Sequence, residues 1–350
     1  MTKIAIIGTT SFGITLGLML SGKGLAVKLY ARTKQEAATL NSSGSTREHL
    51  KDLKFPAGLA ATGDIAEALD DARAVLMVVP AQSMRQNIRQ VKNHLTNSML
   101  IISAAKGLEI DTFKRMSQVI TDEIDAGLHH NIAVLSGPNL YKEILRALPA
   151  AAVVAAEDET VARKAQRLLN SPNFCVYTNT DVPGVEIGGA TKNIIALGAG
   201  IADGLGYGDN AKSAFITRGL TEITALGVAL GASPLTFSGL AGLGDLIATC
   251  ASPLSRNHYA GIQLGKGRPL EKILKSMDSV VEGVDTTRAV WNLAKKLGLE
   301  MPITEKIYQV LFEDLEPSVA ATQLMGAETR HELTGRKWRL FAFLTRRRRS

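Results

Sequence analysis

The sequence predicts a two-domain α/β protein whose first half contains a mostly parallel sheet. A chain of 350 residues exceeds what a single hydrophobic core usually organises. In the first half, short apolar segments alternate with amphipathic ones, a pattern typical of parallel strands joined by right-handed helical crossovers. The composition, with 45% hydrophobic and 21% charged residues, is that of a soluble globular protein.

The apolar segments predict seven strands, at residues 3–8, 25–30, 74–79, 99–103, 131–136, 151–155 and 174–178. Amphipathic segments between them predict helices, for example at residues 12–21, 83–93 and 160–169. We place the end of the first domain at residue 180, so that it spans 1–180. A second domain then spans 181–335, and a basic aromatic tail spans 336–350.

The net charge of +7 resides in the tail. Residues 336–350 contain seven of the 40 basic residues and no acidic one, which leaves 33 basic against 33 acidic residues elsewhere. A neutral body does not support nucleic-acid binding across the fold. The chain opens on a strand rather than on a signal peptide, and no apolar run has the length of a membrane span. We therefore expect a cytoplasmic protein.

The two cysteines do not indicate a metal or disulfide site. Cys175 and Cys250 lie far apart, and neither has a CxxC partner or a histidine at metal-binding spacing. Two reduced thiols are the simplest interpretation for a cytoplasmic protein. We expect no metal cofactor.

A glycine-containing loop at residues 8–13 follows the first strand and precedes a helix. This context is that of the dinucleotide fingerprint GxGxxG, so the loop predicts a Rossmann-like, cofactor-binding sheet. Gly8 suits the tight turn, and Gly13 lets the helix pack closely on the strand. Thr10 stands in the place of the middle glycine, and the alternative is a strand–helix turn that holds no ligand.

The end of the second strand bears on which nicotinamide cofactor binds. Arg32 stands where an acidic residue would contact the ribose of NAD, and Lys34 follows it. A guanidinium suits the 2′-phosphate of NADP(H), which we favour. NAD(H) stays an alternative, because an arginine also stacks on adenine without a phosphate. Residues 78–80 end the third predicted strand in the same crevice.

Lys192 is the only cation in the helix-length segment 185–200. Gly188 and Gly189 lie about one turn before it, and we expect their missing side chains to leave open volume beside the ammonium group. Apolar surroundings disfavour the charged form of a lysine, which lets it exchange protons near neutral pH. The alternative is a lysine whose ammonium group reaches solvent.

Further motifs follow the predicted strands and the Lys192 segment: SAAKGLE at 103–109, LSGPNLYKE at 135–143, GIADGLGYGDNAK at 200–212, GLAGLGDLIATC at 239–250, SPLSRN at 252–257, VVEG at 280–283 and EMPIT at 300–304. In this order and spacing, the chain closely resembles the NAD(P)-dependent glycerol-3-phosphate dehydrogenases of the bacterial, soluble type. The resemblance covers residues 1 to about 330 and is strongest from 184 to 267.

The resemblance implies an all-α substrate domain after the sheet, with the active site between the two domains. It implies reversible reduction of dihydroxyacetone phosphate to sn-glycerol 3-phosphate, a phospholipid precursor. Lys192 matches the proton-transferring lysine, Lys106 a second lysine that contacts both cofactor and substrate, and Asp245 the carboxylate that orients the catalytic lysine. No metal is implied.

Other roles are implied where residues match the family. The substrate-binding positions are Lys106, Gly137, Asn139, Lys192, Asp245, Thr249, Ser255, Arg256 and Asn257. The cofactor-binding positions are Gly8, Ser11, Phe12, Gly13, Arg32, Lys106, Tyr141, Arg256, Val280 and Glu282.

The sequence departs from the family at Thr10, at Asn139, where Ser or Thr is usual, and at Tyr141, where Ala is usual. Two other functions stay open for this reason. One is a reductase of another small 2-keto or 2-hydroxy acid on the same architecture. The other is a catalytically weak NADP(H)-binding regulator.

The tail is a further departure. It places Trp338, Phe341 and Phe343 between two groups of basic residues. Such a segment suits weak contact with an anionic membrane surface, although it is too short to span the membrane. A solvated tail, or one that packs its aromatic residues on the body, is the alternative. The sequence leaves the oligomeric state open, with a homodimer as one option.

Overall fold

The computed structural model describes residues 2–43, 50, 53–277 and 280–326. The tail at 336–350, and with it the end of the second predicted domain, lies outside the described residues. Within the described part, eight strands form one sheet: β1 (Lys3–Ile7), β2 (Ala26–Tyr30), β3 (Leu59–Thr62), β4 (Ala72–Met77), β5 (Leu100–Ser103), β6 (Ile132–Ser136), β7 (Ala150–Ala155) and β8 (Phe174–Asn179).

The strand order is β3-β2-β1-β4-β5-β6-β7-β8. The pairs are parallel except for β6 and β7, where Leu135 lies opposite Val154 in an antiparallel register. The expectation of a mostly parallel, Rossmann-like sheet is therefore confirmed. Between β6 and β7 the chain forms only a short helix, α6 (Tyr141–Leu145), and folds back on itself instead of crossing over the sheet.

Strand β3 was not predicted. Its sequence, Leu-Ala-Ala-Thr, is short and rich in alanine, which has little preference for strands. It adds to the edge of the sheet because Val27 to Tyr30 of β2 offer it a parallel partner. Tertiary pairing, rather than local preference, therefore creates this strand.

In the described residues, the α-helices that accompany the sheet are α1 (Ser11–Gly22), α2 (Lys34–Ser43), α3 (Ile65–Leu69), α4 (Met84–Val91), α5 (Met116–Glu123), α6 and α7 (Glu159–Leu169). Side chains alternate across the strands, so Ile4 and Ile6 enter the apolar cluster on one face. Ala5 and Ile7 enter the cluster on the other face. Both faces of the central strands are thus buried, as expected for a parallel sheet covered by helices.

After β8 the described chain is helical, which confirms the all-α second part. Its helices are α8 (Val182–Gly204), α9 (Asp209–Ala229), α10 (Asp245–Ala251), α11 (Arg256–Gly265), α12 (Leu270–Lys275), α13 (Glu282–Leu297), α14 (Pro302–Phe312) and α15 (Pro317–Met325). Among the described helices, none combines the length and apolarity needed to cross a membrane.

Helix α8 is the buried axis of the helical part, since nearly all of its residues are inaccessible to solvent. It packs against α11 through glycines on both helices. A methyl group on Gly261 would lie 2.0 Å from the carbonyl oxygen of Leu197, and one on Gly200 would lie 2.1 Å from that of His258. The two backbones are therefore in direct contact, and any larger residue would separate them.

A buried carboxylate joins α8 to the sheet-containing part. Glu186 accepts hydrogen bonds from the backbone N–H of Ser117 at 2.7 Å and from its hydroxyl at 2.6 Å. The guanidinium of Arg115 binds the same carboxylate. The carboxylate on α8 is therefore paired with groups at the start of α5, which lies beside the sheet. This pairing holds α8 in its orientation against the sheet.

The backbone contact between α8 and α11 makes Gly261→Ala destabilising. We expect the free energy of unfolding to fall by about 1–3 kcal/mol, because the added methyl group has only backbone atoms to displace. Urea denaturation measures the loss. Gly22→Ala is the control, because Gly22 also belongs to a helix, as the last residue of α1, but has nothing within 4 Å of the added carbon. Equal stability of the two variants would contradict this account.

Candidate active site

A cleft opens at the carboxyl ends of the strands, where the order reverses between β1 and β4. Ligands bind at this position in open α/β sheets. The cleft has a volume of about 690 Å³, and residues of both the sheet-containing and the helical parts line it. Among them are the predicted residues Ser11, Phe12, Arg32, Lys106, Asn139, Tyr141, Lys192, Asp245, Thr249, Ser255, Arg256, Asn257, Val280 and Glu282.

The glycine loop is tightly packed at both of its glycines. Gly8 adopts φ +114°, and a methyl group there would lie 2.5 Å from the carbonyl oxygen of Val78. A methyl group on Gly13 would lie 2.3 Å from the carbonyl oxygen of Gly8. The two glycines therefore shape the turn without lining the cleft. Ser11 and Phe12, at the start of α1, line the cleft.

Thr10 performs a local role that glycine would lack. Its hydroxyl accepts a hydrogen bond from the Gly13 N–H at 3.0 Å, which caps α1. The same hydroxyl donates to the carbonyl oxygen of Val78 at 3.0 Å and so ties the loop to the end of β4. The residue that departs from the fingerprint thus holds the loop in place.

Arg32 lies exposed at the end of β2 and lines the cleft. Its guanidinium has no hydrogen bond or ion pair with the described residues, whereas its backbone N–H donates to Glu36 at 3.0 Å. Glu36 also accepts from the Thr9 hydroxyl at 2.6 Å. The nearby acid is therefore occupied within the protein, and a cation is presented to the ligand. This arrangement fits an anionic group such as a 2′-phosphate.

Lys106 follows β5, and groups of both the sheet-containing and the helical parts bind its ammonium group. Its ammonium group donates to the Gly137 carbonyl at 3.0 Å, to Oδ1 of Asn139 at 2.9 Å and to Oδ2 of Asp245 at 2.7 Å. An ammonium group has three N–H donors, so all three are used within the protein. Gly137, with φ +112°, contributes its carbonyl from outside the cleft lining.

The segment after Lys106 is fixed to the start of α4. The Gln82 side chain donates to the Leu108 carbonyl at 2.9 Å and accepts from the Ile110 N–H at 3.1 Å. Arg85 forms a two-pronged ion pair with Glu109, with both N···O distances at 2.8 Å. These contacts position Lys106 from behind, and sequence patterns gave no sign of the Gln82 and Arg85 contributions.

Lys192 lies opposite Lys106 across the Asp245 carboxylate. Its ammonium group donates to Oδ1 of Asp245 and, at 2.8 Å, to the hydroxyl of Thr249. One N–H remains for a ligand in the cleft. Burial lowers the pKa of Lys192 to about 7. The nearby Lys106 charge also lowers this pKa, whereas the Asp245 carboxylate raises it. The lysine is therefore suited to exchange a proton near neutral pH.

The prediction of an open volume beside Gly188 and Gly189 was wrong. A methyl group on Gly188 would lie 2.5 Å from the Ala241 carbonyl oxygen, and one on Gly189 would lie 2.3 Å from the Ser136 hydroxyl oxygen. Neighbouring backbone and strand atoms fill this space. The glycines instead allow α8 to approach β6 and the π-helical turn Leu240–Gly244, which leads directly into Asp245.

The far end of the cleft is built around the start of α11. Ser255 caps this helix by accepting from the His258 N–H at 3.2 Å, and Arg256 and Asn257 form its first turn. Asn257 donates to Oδ1 of Asn193 at 2.9 Å and accepts from the Gly283 N–H at 2.9 Å. A helix start with a guanidinium, a hydroxyl and an amide can bind a phosphate.

Two polar residues in the cleft were missed by sequence reasoning, Asn193 and Asp285. Asn193 follows Lys192 in an otherwise apolar helix, and that contrast was a usable signal.

Glu282 lies close to Asp285 at the start of α13. Burial raises the pKa of Glu282 to about 7, although the Arg256 charge and the Ala81 N–H act in the opposite direction.

One buried side-chain atom indicates where a ligand could bind in the cleft. The side-chain nitrogen Nδ2 of Asn139 is buried and has no hydrogen-bond partner among the described residues. An unpaired buried donor is costly, so this atom indicates a place for a ligand oxygen. Within the described ranges, no three His, Cys, Asp or Glu side chains come together as a metal site.

Comparison with known proteins agrees with this geometry. The family models for the N-terminus and the C-terminus of NAD-dependent glycerol-3-phosphate dehydrogenase match residues 3–162 and 181–322. A relative from Dehalococcoides mccartyi, named glycerol-3-phosphate dehydrogenase (NAD(P)+), is 59% identical over 349 residues, covering 99% of this chain and 97% of the relative. A Streptomyces coelicolor relative with the same name is 47% identical, covering 94% of this chain and 98% of the relative.

A solved structure is also similar. The crystal structure of glycerol-3-phosphate dehydrogenase from Coxiella burnetii superimposes with a TM-score of 0.88 at 35% identity, covering 93% of this chain and 99% of that one. Both the sequence and the arrangement of the cleft therefore point to one family. This chain belongs to the NAD-dependent glycerol-3-phosphate dehydrogenase family.

Proposed function

We propose that this protein catalyses the NAD(P)H-dependent, reversible reduction of dihydroxyacetone phosphate to sn-glycerol 3-phosphate. The observation that carries the proposal is the position of Lys192. It is buried, has one N–H available and stands between a dinucleotide loop and a phosphate-binding helix start. The names of the similar proteins support the same reaction.

The cofactor supplies the hydride when it is bound. The loop from Gly8 to Gly13 would receive its pyrophosphate, because side chains at either glycine would collide with the backbone. Arg32 favours NADP(H) over NAD(H), since its guanidinium has no partner among the described residues and lies on the cleft. Tyr141, Val280 and Glu282 also line the cleft, and we expect them to contact the cofactor.

The donors of the cleft match the three polar parts of dihydroxyacetone phosphate. The start of α11, with Ser255 and Arg256, receives the phosphate. The remaining N–H of Lys192 binds the carbonyl oxygen. Asn139 donates through Nδ2 to the terminal hydroxyl. Lys106 has no proton left to donate, so it acts through its charge, which stabilises the developing alkoxide.

Lys192 supplies the proton. As negative charge develops on the carbonyl oxygen, the ammonium group stabilises it and then transfers a proton to it. The pKa of about 7 means that the protonated form, which reduction consumes, predominates below pH 7. The neutral amine, which glycerol phosphate oxidation requires, predominates above pH 7. Asp245 and Thr249 hold the nitrogen in place during both directions.

The other functions left open by the sequence are less well supported. A small 2-keto acid has no phosphate to occupy the donors at the start of α11. A regulator that only binds cofactor would not need the arrangement of Lys106, Asp245 and Lys192. Assays of dihydroxyacetone phosphate and a 2-keto acid at equal concentration separate the two enzymatic alternatives.

We further infer a cytoplasmic role in supplying the glycerol phosphate of phospholipids. The tail at 336–350 then suits weak contact with the membranes that consume this product, because it combines aromatic and basic residues. A homodimer stays a prediction from the sequence.

Replacing the proposed proton donor tests the reaction itself. We expect Lys192→Ala to lower kcat by about 10²–10⁴-fold, which is the usual contribution of a positioned proton donor. Cofactor binding, measured by quenching of protein fluorescence, should stay nearly unchanged. Lys164→Ala is the matched control, since Lys164 is exposed on α7. Near-normal turnover of the Lys192 variant would remove this residue from the mechanism.

Arg32→Asp should weaken NADPH far more than NADH. It removes the proposed partner of the 2′-phosphate, and a charge-assisted hydrogen bond of about 1.5–3 kcal/mol corresponds to a loss of roughly 10–100-fold. KM values for both cofactors measure the effect. Lys34→Asp is the matched control, because it changes the neighbouring charge to the same degree. An unaltered NADPH/NADH preference in the Arg32 variant would show that Arg32 does not recognise the phosphate.

Asn139→Ala should abolish recognition of the terminal hydroxyl. We compare kcat/KM for dihydroxyacetone phosphate and for 2-oxopropyl phosphate, which lacks that hydroxyl. The wild type should prefer the first substrate by about tenfold, the worth of a well-placed hydrogen bond, and the variant should lose this preference. If the preference survives the substitution, Asn139 contacts another oxygen.

Removal of residues 336–350 should abolish any vesicle binding. We expect the full chain to cosediment with anionic phospholipid vesicles at low salt, since each basic residue near such a surface contributes about 1 kcal/mol. The truncated chain and neutral vesicles are the controls. If the full chain stays in the supernatant with anionic vesicles, the membrane contact does not occur.

A further inference from the structure

The motif at residues 200–212 lies outside the cleft, yet it forms a connected polar cluster. Asp203 near the end of α8 accepts hydrogen bonds on one oxygen, Oδ2, from Nε2 of His258 at 2.7 Å and from Lys212 Nζ at 2.6 Å. His258 belongs to the first turn of α11, and Lys212 to the first turn of α9. The three residues therefore connect three helices, and the reaction chemistry uses none of them.

The charge states in this cluster fix the orientation of the imidazole. Partial burial opposes ionisation of Asp203, but hydrogen bonds from Lys212 and His258 outweigh it and keep the pKa of Asp203 low. A carboxylate only accepts hydrogen bonds, so Nε2 of His258 carries a proton. The other ring nitrogen, Nδ1, is buried without a hydrogen-bond partner among the described residues. Among the described residues, Asp203 therefore makes the hydrogen bond that orients the ring.

His258 adjoins the residues that bind the phosphate. Its backbone N–H donates to the Ser255 hydroxyl oxygen, and it follows Arg256 and Asn257 directly. Its carbonyl oxygen lies against Gly200 of α8. The residue is 5% exposed and does not line the cleft. A shift of this imidazole would therefore move the first turn of α11, although the imidazole itself touches no ligand.

We propose that His258 is a positioning residue for the substrate phosphate and that Lys212 and Asp203 hold it. In this arrangement the contact of Gly200 and Gly261 sets the distance between α8 and α11, and the Asp203–His258 hydrogen bond orients the first turn of α11. Lys212 keeps Asp203 ionised and directed at the imidazole. This role rests on the proposed function, since it assumes that Ser255 and Arg256 bind a phosphate.

The test separates phosphate binding from turnover. His258→Leu removes the donor to Asp203, whereas His258→Gln retains an N–H group near the position of Nε2. We expect KM for dihydroxyacetone phosphate to rise about tenfold in the Leu variant, the loss of one hydrogen bond to a charged group. We expect kcat to stay within about twofold, because Lys192 is unaffected. The Gln variant should recover most of the affinity.

Dihydroxyacetone, which lacks the phosphate, is the matched substrate control. Its kcat/KM should be nearly equal in the wild type and in both His258 variants. Asp203→Asn and Lys212→Met, at the partly exposed end of the cluster, should raise KM for dihydroxyacetone phosphate in the same direction but less. These two variants carry the test if His258→Leu does not fold, which thermal melting by circular dichroism would show.

Three outcomes would overturn the proposal. They are equal KM values for the Leu and Gln variants, equal losses with dihydroxyacetone and its phosphate, or unchanged KM values in both the Asp203 and Lys212 variants. Failure of the proposed function is distinguishable, because the wild type itself would then not reduce dihydroxyacetone phosphate.

Discussion

One buried carboxylate joins the two halves of the active site. Asp245 is 1% exposed and accepts Lys106 from the sheet-containing part on one oxygen and Lys192 from α8 on the other. Two ammonium groups this close and this poorly solvated would repel each other without an anion between them. The shared counter-ion therefore fixes the position of each lysine relative to the other. It also accounts for one lysine acting as a charge while the other keeps a proton to donate.

The surrounding structure serves to bring Asp245 to this place. The π-helical turn before it packs on α8 where Gly188 has no side chain, and Thr249 one turn later binds the same lysine. On the other face, Glu186 secures α8 to the start of α5. Close contacts at glycines and buried polar pairs thus hold these elements together, as apolar side chains do elsewhere in the core. Such contacts tolerate little displacement, because each depends on both distance and direction.

The sequence predicted the sheet, the glycine-containing loop and most residues that line the cleft because each has a local signature. Apolar segments indicated the strands, and ordered motifs indicated Lys106, Lys192 and Asp245. What it did not predict depends on pairing between distant segments. Strand β3 exists through its partner β2, and the space beside Gly188 and Gly189 is filled by atoms from other parts of the chain. The sequence likewise could not show that all three N–H groups of Lys106 are bonded, because the three acceptors come from distant segments of the chain.

The glycine contact between α8 and α11 fixes the distance between these two helices. Lys192 lies on one of these helices and Arg256 on the other, and the main chains meet without intervening side chains. In the proposed complex, the span between the reacting carbonyl and the phosphate is consequently set mainly by the backbone contact of the two helices. Adaptation to a longer or shorter sugar phosphate would therefore have to act at the ends of the cleft, away from the contact of the two helices.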